Sequence, residues 1–262
     1  ESNLKNPDIV NGKSNAENEI TDETQERLSK YEKQYQSLEM RYASLKEKYT
    51  DIEDYSSWQE DTIPANKITL VNNGTHAGPK TPLVLQTIRY LAKNADNVTI
   101  QTPYVICNGY MYDTLNEIAS HAQLKIILNA VEKGSNPWGC TDYLNHKKKI
   151  LETGADVYEL MNQVPVHTKA VLSDERLSIV GSYNLDMRST YLDTELMLVI
   201  DSRELNQQIQ STENVYMEKS KEVLSNGQET EGAQYETKVL NWQKKLFYGV
   251  LRIIIRPLRQ LL

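Results

Sequence analysis

One short stretch of the chain combines the side-chain types that chemistry at a phosphodiester requires. It contains, in order, His167, Lys169, Asp174, Ser182 and Asn184. A neutral imidazole can attack phosphorus or act as an acid, and an ammonium supplies a fixed positive charge. Hydroxyl and amide groups can donate hydrogen bonds to the non-bridging oxygens. The stretch therefore predicts a site that acts on a phosphodiester.

The local pattern predicts a β-hairpin that gathers these groups. Val166–Leu172 and Leu177–Gly181 alternate as strands do, and the polar residues between them are typical of a turn. Because successive residues of a strand point to opposite faces, His167 and Lys169 should share a face. A turn centred between positions 174 and 175 would set Ser182 opposite His167.

The hairpin belongs to an alternation of strands and helices over residues 66–224. This order indicates an α/β fold, with a mixed β-sheet sandwiched between helices. The predicted strands are Lys67–Val71, Val98–Thr102, Leu124–Asn129, Asp156–Leu160, Val166–Leu172, Leu177–Gly181 and Glu195–Ile200. The predicted helices are Pro82–Lys93, Tyr110–His121, Asp142–Glu152 and Arg203–Leu224.

The residues before this domain predict a flexible lead-in over 1–20 and a helical segment over 21–65. Apolar and aromatic side chains recur there with the 3,4 spacing of heptads, at Leu28, Tyr31, Tyr35, Leu38, Tyr42, Leu45, Tyr49 and Ile52. The favoured interpretation is an amphipathic helix or helical hairpin that lies on its own domain. The alternative is an intermolecular coiled coil.

Residues 225–262 predict a linker followed by a basic amphipathic tail. Ser225–Ala233 is expected to be flexible, while Leu240–Leu262 holds many apolar residues, five basic residues and no acidic residue. The basic residues interrupt the apolar ones too often for a membrane span. The tail predicts a C-terminal amphipathic helix on an anionic membrane surface; the alternative is a helix that caps the domain's own apolar surface.

Composition narrows the possible partners and cofactors. The net charge of −7 and isoelectric point near 5.3 argue against nucleic acid as a partner. The two cysteines have no metal-binding spacing and predict free thiols. The sequence contains no cluster of carboxylates or of Cys and His residues that would indicate a metal site. Because the chain starts at Glu1 rather than Met, we expect a trimmed or processed product or a part of a longer protein.

The spacing H-x-K-x4-D-x6-G-S-x-N-x-D from His167 to Asp186 resembles the HKD motif of the phospholipase D superfamily. The segment Asn184–Ser189 (NLDMRS) is most similar to the cardiolipin synthase branch. The resemblance extends over roughly residues 66–224, and Asp193 departs from it because such proteins usually have asparagine there. It implies a phospholipase D-like α/β/α fold.

The resemblance also implies a role for each motif residue. His167 would form a phosphohistidine or protonate the leaving alkoxide. Lys169 and Asn184 would hold the phosphoryl oxygens, and Ser182 would be a further hydrogen-bond donor. Glu195 would accept a hydrogen bond from the second ring nitrogen of the histidine. This mechanism implies no metal and no cofactor.

Other residues are expected at the periphery of the site. Asp174 belongs to the motif but falls at the turn, roughly 15 Å from the histidine at strand rise, where it should brace the loop. Asn129 and the loop Gly134–Cys140 follow the carboxyl end of a strand and are candidates for substrate contact, as is Tyr104.

The family's active site is built from two such motifs, and this chain contains one. The favoured hypothesis is the C-terminal half of a two-motif phosphatidyltransferase of cardiolipin synthase type, acting on phospholipid such as phosphatidylglycerol. It would be a peripheral membrane protein at the cytoplasmic face. In such a protein His167 would be the acid/base partner of the attacking histidine. The alternatives are a homodimeric phosphodiesterase or nuclease and a catalytically silent lipid-binding half.

Overall fold

A computed structural model describes residues 22–50, 55–60 and 62–259. The chain divides into two compact units, the first ending at Thr62 and the second beginning at Ile63. The lead-in predicted over residues 1–20 lies outside the described residues, as does Ile52. The first unit contains helices α1 (Asp22–Lys48) and α2 (Tyr55–Glu60).

The apolar heptad residues of α1 lie on its surface. Each of the seven from Leu28 to Tyr49 is more than two-fifths exposed. The two interpretations of this stripe, helix on its own domain and intermolecular coil, both stay predictions.

The second unit contains the predicted alternation of strands and helices. Its strands are β1 (Lys67–Asn72), β2 (Asn97–Gln101), β3 (Val105–Ile106), β4 (Gln123–Asn129), β5 (Asp156–Leu160), β6 (Ala170–Ser173), β7 (Leu177–Gly181), β8 (Leu185–Asp186), β9 (Leu196–Asp201), β10 (Ser220–Val223) and β11 (Glu229–Glu231). Its helices are α3 (Leu83–Ala92), α4 (Gly109–Ala119), α5 (Pro137–Leu151), α6 (Met187–Tyr191), α7 (Arg203–Glu218) and α8 (Trp242–Leu258).

Nine of these strands form one mixed sheet in the order β1-β9-β7-β6-β2-β4-β5-β10-β11. Strands β2, β4 and β5 are parallel because α4 and α5 cross over between them, and their other neighbours pair antiparallel. The main apolar core packs α3, α4 and α5 on one face of the sheet. Helix α7 covers the other face. The predicted mixed sheet between helices is therefore confirmed.

The hairpin differs from its prediction in length and register. Strand β6 begins at Ala170 rather than Val166, and Ala170 pairs with Val180. The loop holds three residues between Ser173 and Leu177, and its first residue, Asp174, has φ 51°. This left-handed residue adds one position to the turn, so facing positions shift by one residue.

Tertiary pairing overrides the local pattern after α7. The predicted helix over 203–224 ends at Glu218, and β10 follows it as an antiparallel neighbour of β5. The predicted flexible break instead contains β11, which pairs with β10. Hydrogen bonds with β5 and β11 satisfy the backbone groups of residues 220–223, which would otherwise have formed hydrogen bonds within a longer helix. The local sequence does not show that these strands are available for pairing.

Helix α5 begins five residues earlier than predicted. Its N-cap is Asn136, whose side chain accepts hydrogen bonds from the amides of Trp138 and Gly139, at 3.1 and 3.2 Å. Pro137 occupies the first turn, where its missing N–H costs nothing. The segment Gly134–Cys140, predicted as a loop that could contact substrate, thus mostly forms the first turn of α5.

The C-terminal helix α8 packs one face on the domain, as the alternative interpretation of the tail expected, whereas its contact with a membrane surface stays a prediction. Tyr248, Leu251 and Ile255 are buried, and Nε of Arg259 donates to the carboxylate of Asp142 on α5 at 2.7 Å. One face therefore caps the domain. The remaining apolar side chains of α8 are exposed, namely Trp242, Leu246, Phe247, Val250, Ile253, Ile254 and Leu258. Among the described residues, no helix is long and apolar enough to span a membrane.

Candidate active site

His167 and Lys169 lie side by side just before β6. Nζ of Lys169 is 2.7 Å from Nδ1 of His167, and it also donates to the carbonyl oxygen of His167 at 2.7 Å. The imidazole is exposed, whereas Lys169 is buried. Partial desolvation and the ammonium both lower the pKa of His167, so the neutral ring is favoured. Such a ring can act as a nucleophile or a base.

Burial also lowers the pKa of Lys169, and two carboxylates oppose that effect. Desolvation disfavours the ammonium, while the charges of Glu195 and Asp186 favour it. Both carboxyl groups are buried. The ammonium of Lys169 therefore lies next to a neutral imidazole, and the charges of Glu195 and Asp186 stabilise that ammonium.

Asn129 fixes the backbone that leads into the histidine. Its Oδ1 accepts from the amide of Val166 and its Nδ2 donates to the carbonyl of Val166, both at 2.8 Å. Nδ2 also donates to the carbonyl of Pro103 at 3.2 Å. The side chain is buried. The structure therefore places Asn129 behind the motif as a clamp, in contrast to the substrate contact expected from sequence.

The glycine of the motif permits close contact between β7 and β9. A Cβ at Gly181 would lie 2.1 Å from the carbonyl oxygen of Leu196 and 2.9 Å from Cα of Met197. Since those neighbours are backbone atoms, no side chain fits there. The next residue, Ser182, donates from its amide to the carbonyl of Leu196 at 3.0 Å.

Glu195 occupies a different position from the one expected. Its carboxylate accepts hydrogen bonds from the hydroxyls of Ser182 and Ser189, the latter at 2.6 Å. The contacts of the described residues include none between Glu195 and His167. The expected contact of Glu195 with the imidazole is therefore not present in the part of the chain that the structure describes, where Ser182 and Ser189 hold the carboxylate instead. The hydroxyl of Ser182 is likewise committed to the glutamate.

Asn184 approaches the same cluster from β8. Its Nδ2 donates to Oγ of Ser189 at 3.3 Å, and its buried Oδ1 has no partner among the described residues. Ser189 itself was missed by sequence reasoning. The sequence feature that could have identified Ser189 is the start of a helix. Asp186 caps α6 by accepting a hydrogen bond from the amide of Ser189 at 2.6 Å.

Two more buried groups support the cluster. Burial raises the pKa of Asp186 to about 6, although its hydrogen bond with Ser189 opposes the rise. Asn73 is fully buried and donates from Nδ2 to the carbonyl of Ser189 at 2.8 Å. Its contact partner is 116 positions away. Nothing local in the sequence identifies such a residue.

Asp174 lies at the other end of the hairpin. Its Oδ1 accepts from the amides of Asp96 and Asn97 at 2.9 and 3.0 Å. Its own amide donates to the carbonyl of Asn97 at 2.9 Å. These bonds tie the turn to the start of β2, in keeping with the bracing role expected from sequence.

A cleft of about 510 Å³ opens next to the cluster. Its walls are formed by Tyr104, Ile106, Asn136, Trp138, Asp186, Arg188 and Leu258. Tyr104 is half-buried there, and desolvation together with the charge of Asp186 raises its pKa. Of the predicted substrate-contact residues, Tyr104 therefore lines open space beside the site, as do Asn136 and Trp138 of the segment Gly134–Cys140.

Comparison with known proteins agrees with this architecture. Residues 87–214 match the family described as "Cardiolipin synthase, PLD-like domain". The phosphatidylserine synthase of Haemophilus influenzae has a similar fold, with a TM-score of 0.54 and 18% identity over 75% of this chain and 47% of that protein. The fold and the motif thus define a domain of the phospholipase D superfamily.

Within that superfamily, residues 87–214 are similar to the domain of cardiolipin synthases. Cardiolipin synthase A of Buchnera aphidicola from Schizaphis graminum is 28% identical over 63% of this chain. That of Wigglesworthia glossinidia brevipalpis is 30% identical over 53% of this chain. The matches cover 32% and 27% of those two proteins, so the chain spans about a third of their length or less.

Proposed function

We propose that this chain supplies one of the two histidine sites of a phosphatidyltransferase of cardiolipin synthase type. The observation that carries the proposal is the exposed, neutral imidazole of His167 beside the buried ammonium of Lys169. The similarity of residues 87–214 to cardiolipin synthases supplies the substrate class, a phospholipid.

The proposed reaction has two steps. A neutral imidazole attacks the phosphorus of phosphatidylglycerol, the bond to the glycerol oxygen breaks, and the second histidine protonates the departing alkoxide. The hydroxyl of a second phosphatidylglycerol then attacks phosphorus, the P–N bond breaks, and the second histidine takes the hydroxyl proton. The products are cardiolipin and glycerol. A His167 that is neutral at rest fits the attacking role; as the second histidine it would start protonated and become neutral when it protonates the alkoxide.

The charged groups of the cluster would stabilise the transition state. The ammonium of Lys169 and the amide of Asn184 hold the non-bridging phosphoryl oxygens. The carboxylate of Glu195 keeps Lys169 protonated and is itself fixed by the hydroxyls of Ser182 and Ser189. Ser182 therefore acts through the glutamate in this proposal.

The second histidine comes from another motif, which the described residues lack. We favour a preceding half of the same polypeptide, because the relatives are much longer than the matched region. A second copy of this chain is the other source. In either arrangement the protein works at a membrane surface, since its substrates are lipids, and we place it at the cytoplasmic face.

Loss of His167 tests the chemistry. The complete or dimeric protein with His167→Ala should form cardiolipin from phosphatidylglycerol roughly 10²–10⁴-fold more slowly than the unaltered protein. His76→Ala is the matched control, because His76 is an exposed histidine without the motif. Lipid products would be separated and counted from labelled phosphatidylglycerol. Undiminished cardiolipin formation by His167→Ala would refute the proposal.

The exposed face of α8 is the proposed membrane contact. Trp242 and Leu246 are 72% and 61% exposed, and basic residues accompany them on the same helix. Replacing both with serine should weaken co-sedimentation with anionic vesicles while leaving the buried face of α8 intact. Tyr90→Ser, which removes a 76% exposed side chain elsewhere, is the control. Equal vesicle binding by all three proteins would remove this role.

A further inference from the structure

The cleft beside the active site is lined by both apolar and polar side chains. Ile106 of β3 and Trp138 of α5 form part of its wall, and Leu258 of α8 forms another part. Arg188 and Asp186 contribute polar groups to the same cleft. Clefts of this size with mostly apolar walls and a few polar groups are typical binding sites for small organic molecules.

The cleft is connected to the candidate active site by consecutive hydrogen bonds. Asp186, which lines the cleft, accepts from the amide of Ser189 at 2.6 Å. The hydroxyl of Ser189 donates to Glu195 at 2.6 Å, and Ser182 donates to the same carboxylate. Asp186 thus belongs both to the cleft wall and to the cluster around Lys169, so the cleft borders the position where the reacting phosphate would lie.

An exposed apolar stripe on α8 leads to the same cleft. Phe247, Val250, Ile254 and Leu258 are spaced by three, four and four residues, so they line one side of the helix. Their exposed fractions are 50%, 51%, 48% and 40%. The stripe is roughly 16 Å long at helical rise and ends at the cleft wall.

We infer that the cleft and this stripe bind an acyl chain of the phospholipid substrate. This inference rests on the proposed function and adds a substrate subsite to it. Helix α8 then has two tasks, contact with the bilayer and formation of the substrate site. Its position is held by Arg259, which donates to Asp142 at 2.7 Å and to the carbonyl of Cys107. The ion pair keeps Leu258 beside the cleft.

Binding of monomeric lipid separates this inference from catalysis. The full chain would be titrated by calorimetry with phosphatidylglycerols carrying two chains of four to eight carbons, below their micelle concentration. Affinity should increase roughly two- to fourfold for each CH₂ group that enters the cleft. Leu258→Gln should abolish this dependence on chain length, as should Trp138→Ala on another part of the wall.

Ile253→Gln is the matched control. Ile253 is 69% exposed on the same helix but lies outside the stripe, so its variant should keep the chain-length dependence. Thermal unfolding of each variant checks that it is folded. The same chain-length dependence in folded Leu258→Gln and Trp138→Ala would overturn the inference, as would no binding of monomeric lipid by the unaltered chain.

The proposed function can fail without this inference failing. If the complete protein forms no cardiolipin yet binds longer chains more tightly, the acyl subsite stands and the reaction is wrong. The cleft and the stripe could instead be covered by the second half of the protein. If lipid binding disappears when the second half is present, the cleft and stripe belong to that interface and the inference is overturned.

Discussion

The ammonium nitrogen of Lys169 lies 2.7 Å from Nδ1 of His167. Residues two positions apart in an extended chain point to the same side, so the spacing of His167 and Lys169 allows this contact. The cation lowers the pKa of the imidazole in addition to the effect of burial. It therefore keeps the ring unprotonated at a pH where a free histidine would be partly charged.

Lys169→Met should raise the pKa of His167 toward its ordinary value, because the like charge that disfavours protonation is removed. The rise should be partial, since desolvation remains. The ring resonances of His167 would be followed by NMR against pH. Lys148→Met, which alters a 92% exposed lysine, should leave them unchanged. An unaltered titration in Lys169→Met would contradict the proposed coupling.

Asn129→Ala should destabilise the domain and slow catalysis. It removes two hydrogen bonds with the backbone of Val166 and one with the carbonyl of Pro103, and leaves those backbone groups without a partner. We expect a loss of roughly 1–3 kcal/mol in the free energy of unfolding. Urea unfolding measures this change, with the exposed Gln207→Ala as the control. If both variants unfold alike, Asn129 is not the clamp described above.

Much of the fold could be predicted because its determinants are local. The strand and helix alternation over 66–224 is encoded in periodicity, and the motif from His167 to Asn184 lies within one hairpin and its continuation. The register was wrong because it depended on the single residue Asp174, whose φ of 51° adds a position to the loop. A turn conformation of that kind is not evident from composition alone.

The contacts of the site could not be predicted because they join distant elements. Glu195 meets Ser182 only through the pairing of β7 with β9, and it meets Ser189 only because α6 starts at that point. Asn73 reaches Ser189 across 116 positions. The cleft similarly requires Leu258 of the tail to lie against the domain. Spacing in the sequence contains none of this information.

Glu195→Gln should slow the proposed transfer by roughly 10- to 100-fold, a range seen when a residue that orients reactive groups is lost. In the unaltered protein each oxygen of the Glu195 carboxylate accepts a hydrogen bond from one serine hydroxyl. A glutamine has only one acceptor oxygen, so one of these hydrogen bonds is lost. Its lost charge should also lower the pKa of Lys169 further. The alkaline limb of the rate against pH should therefore move to lower pH.

That shift distinguishes a charge effect from a loss of packing. Glu204→Gln, an exposed change in the first turn of α7, should alter neither rate nor profile. A slower Glu195→Gln enzyme whose alkaline limb is unmoved would assign the glutamate a purely structural role.

Glu213 on α7 should make the fold less stable as pH rises. The residue is fully buried, and neither carboxylate oxygen has a partner among the described residues. Burial raises its pKa from 4.5 to about 8. Between those values the folded protein binds a proton that the unfolded chain releases. Stability is therefore lost at about 1.4 kcal/mol per pH unit across that window.

Glu213→Gln should remove this dependence, because the amide has a similar shape and does not ionise. The variant should be more stable than the unaltered protein at pH 8, and the difference should shrink toward pH 4.5. Urea unfolding at several pH values measures it, with Glu204→Gln as the exposed control. A constant difference between Glu213→Gln and the unaltered protein across this range would mean that Glu213 keeps an ordinary pKa in the folded state. The carboxylate would then be ionised at neutral pH, with its charge compensated within the fold.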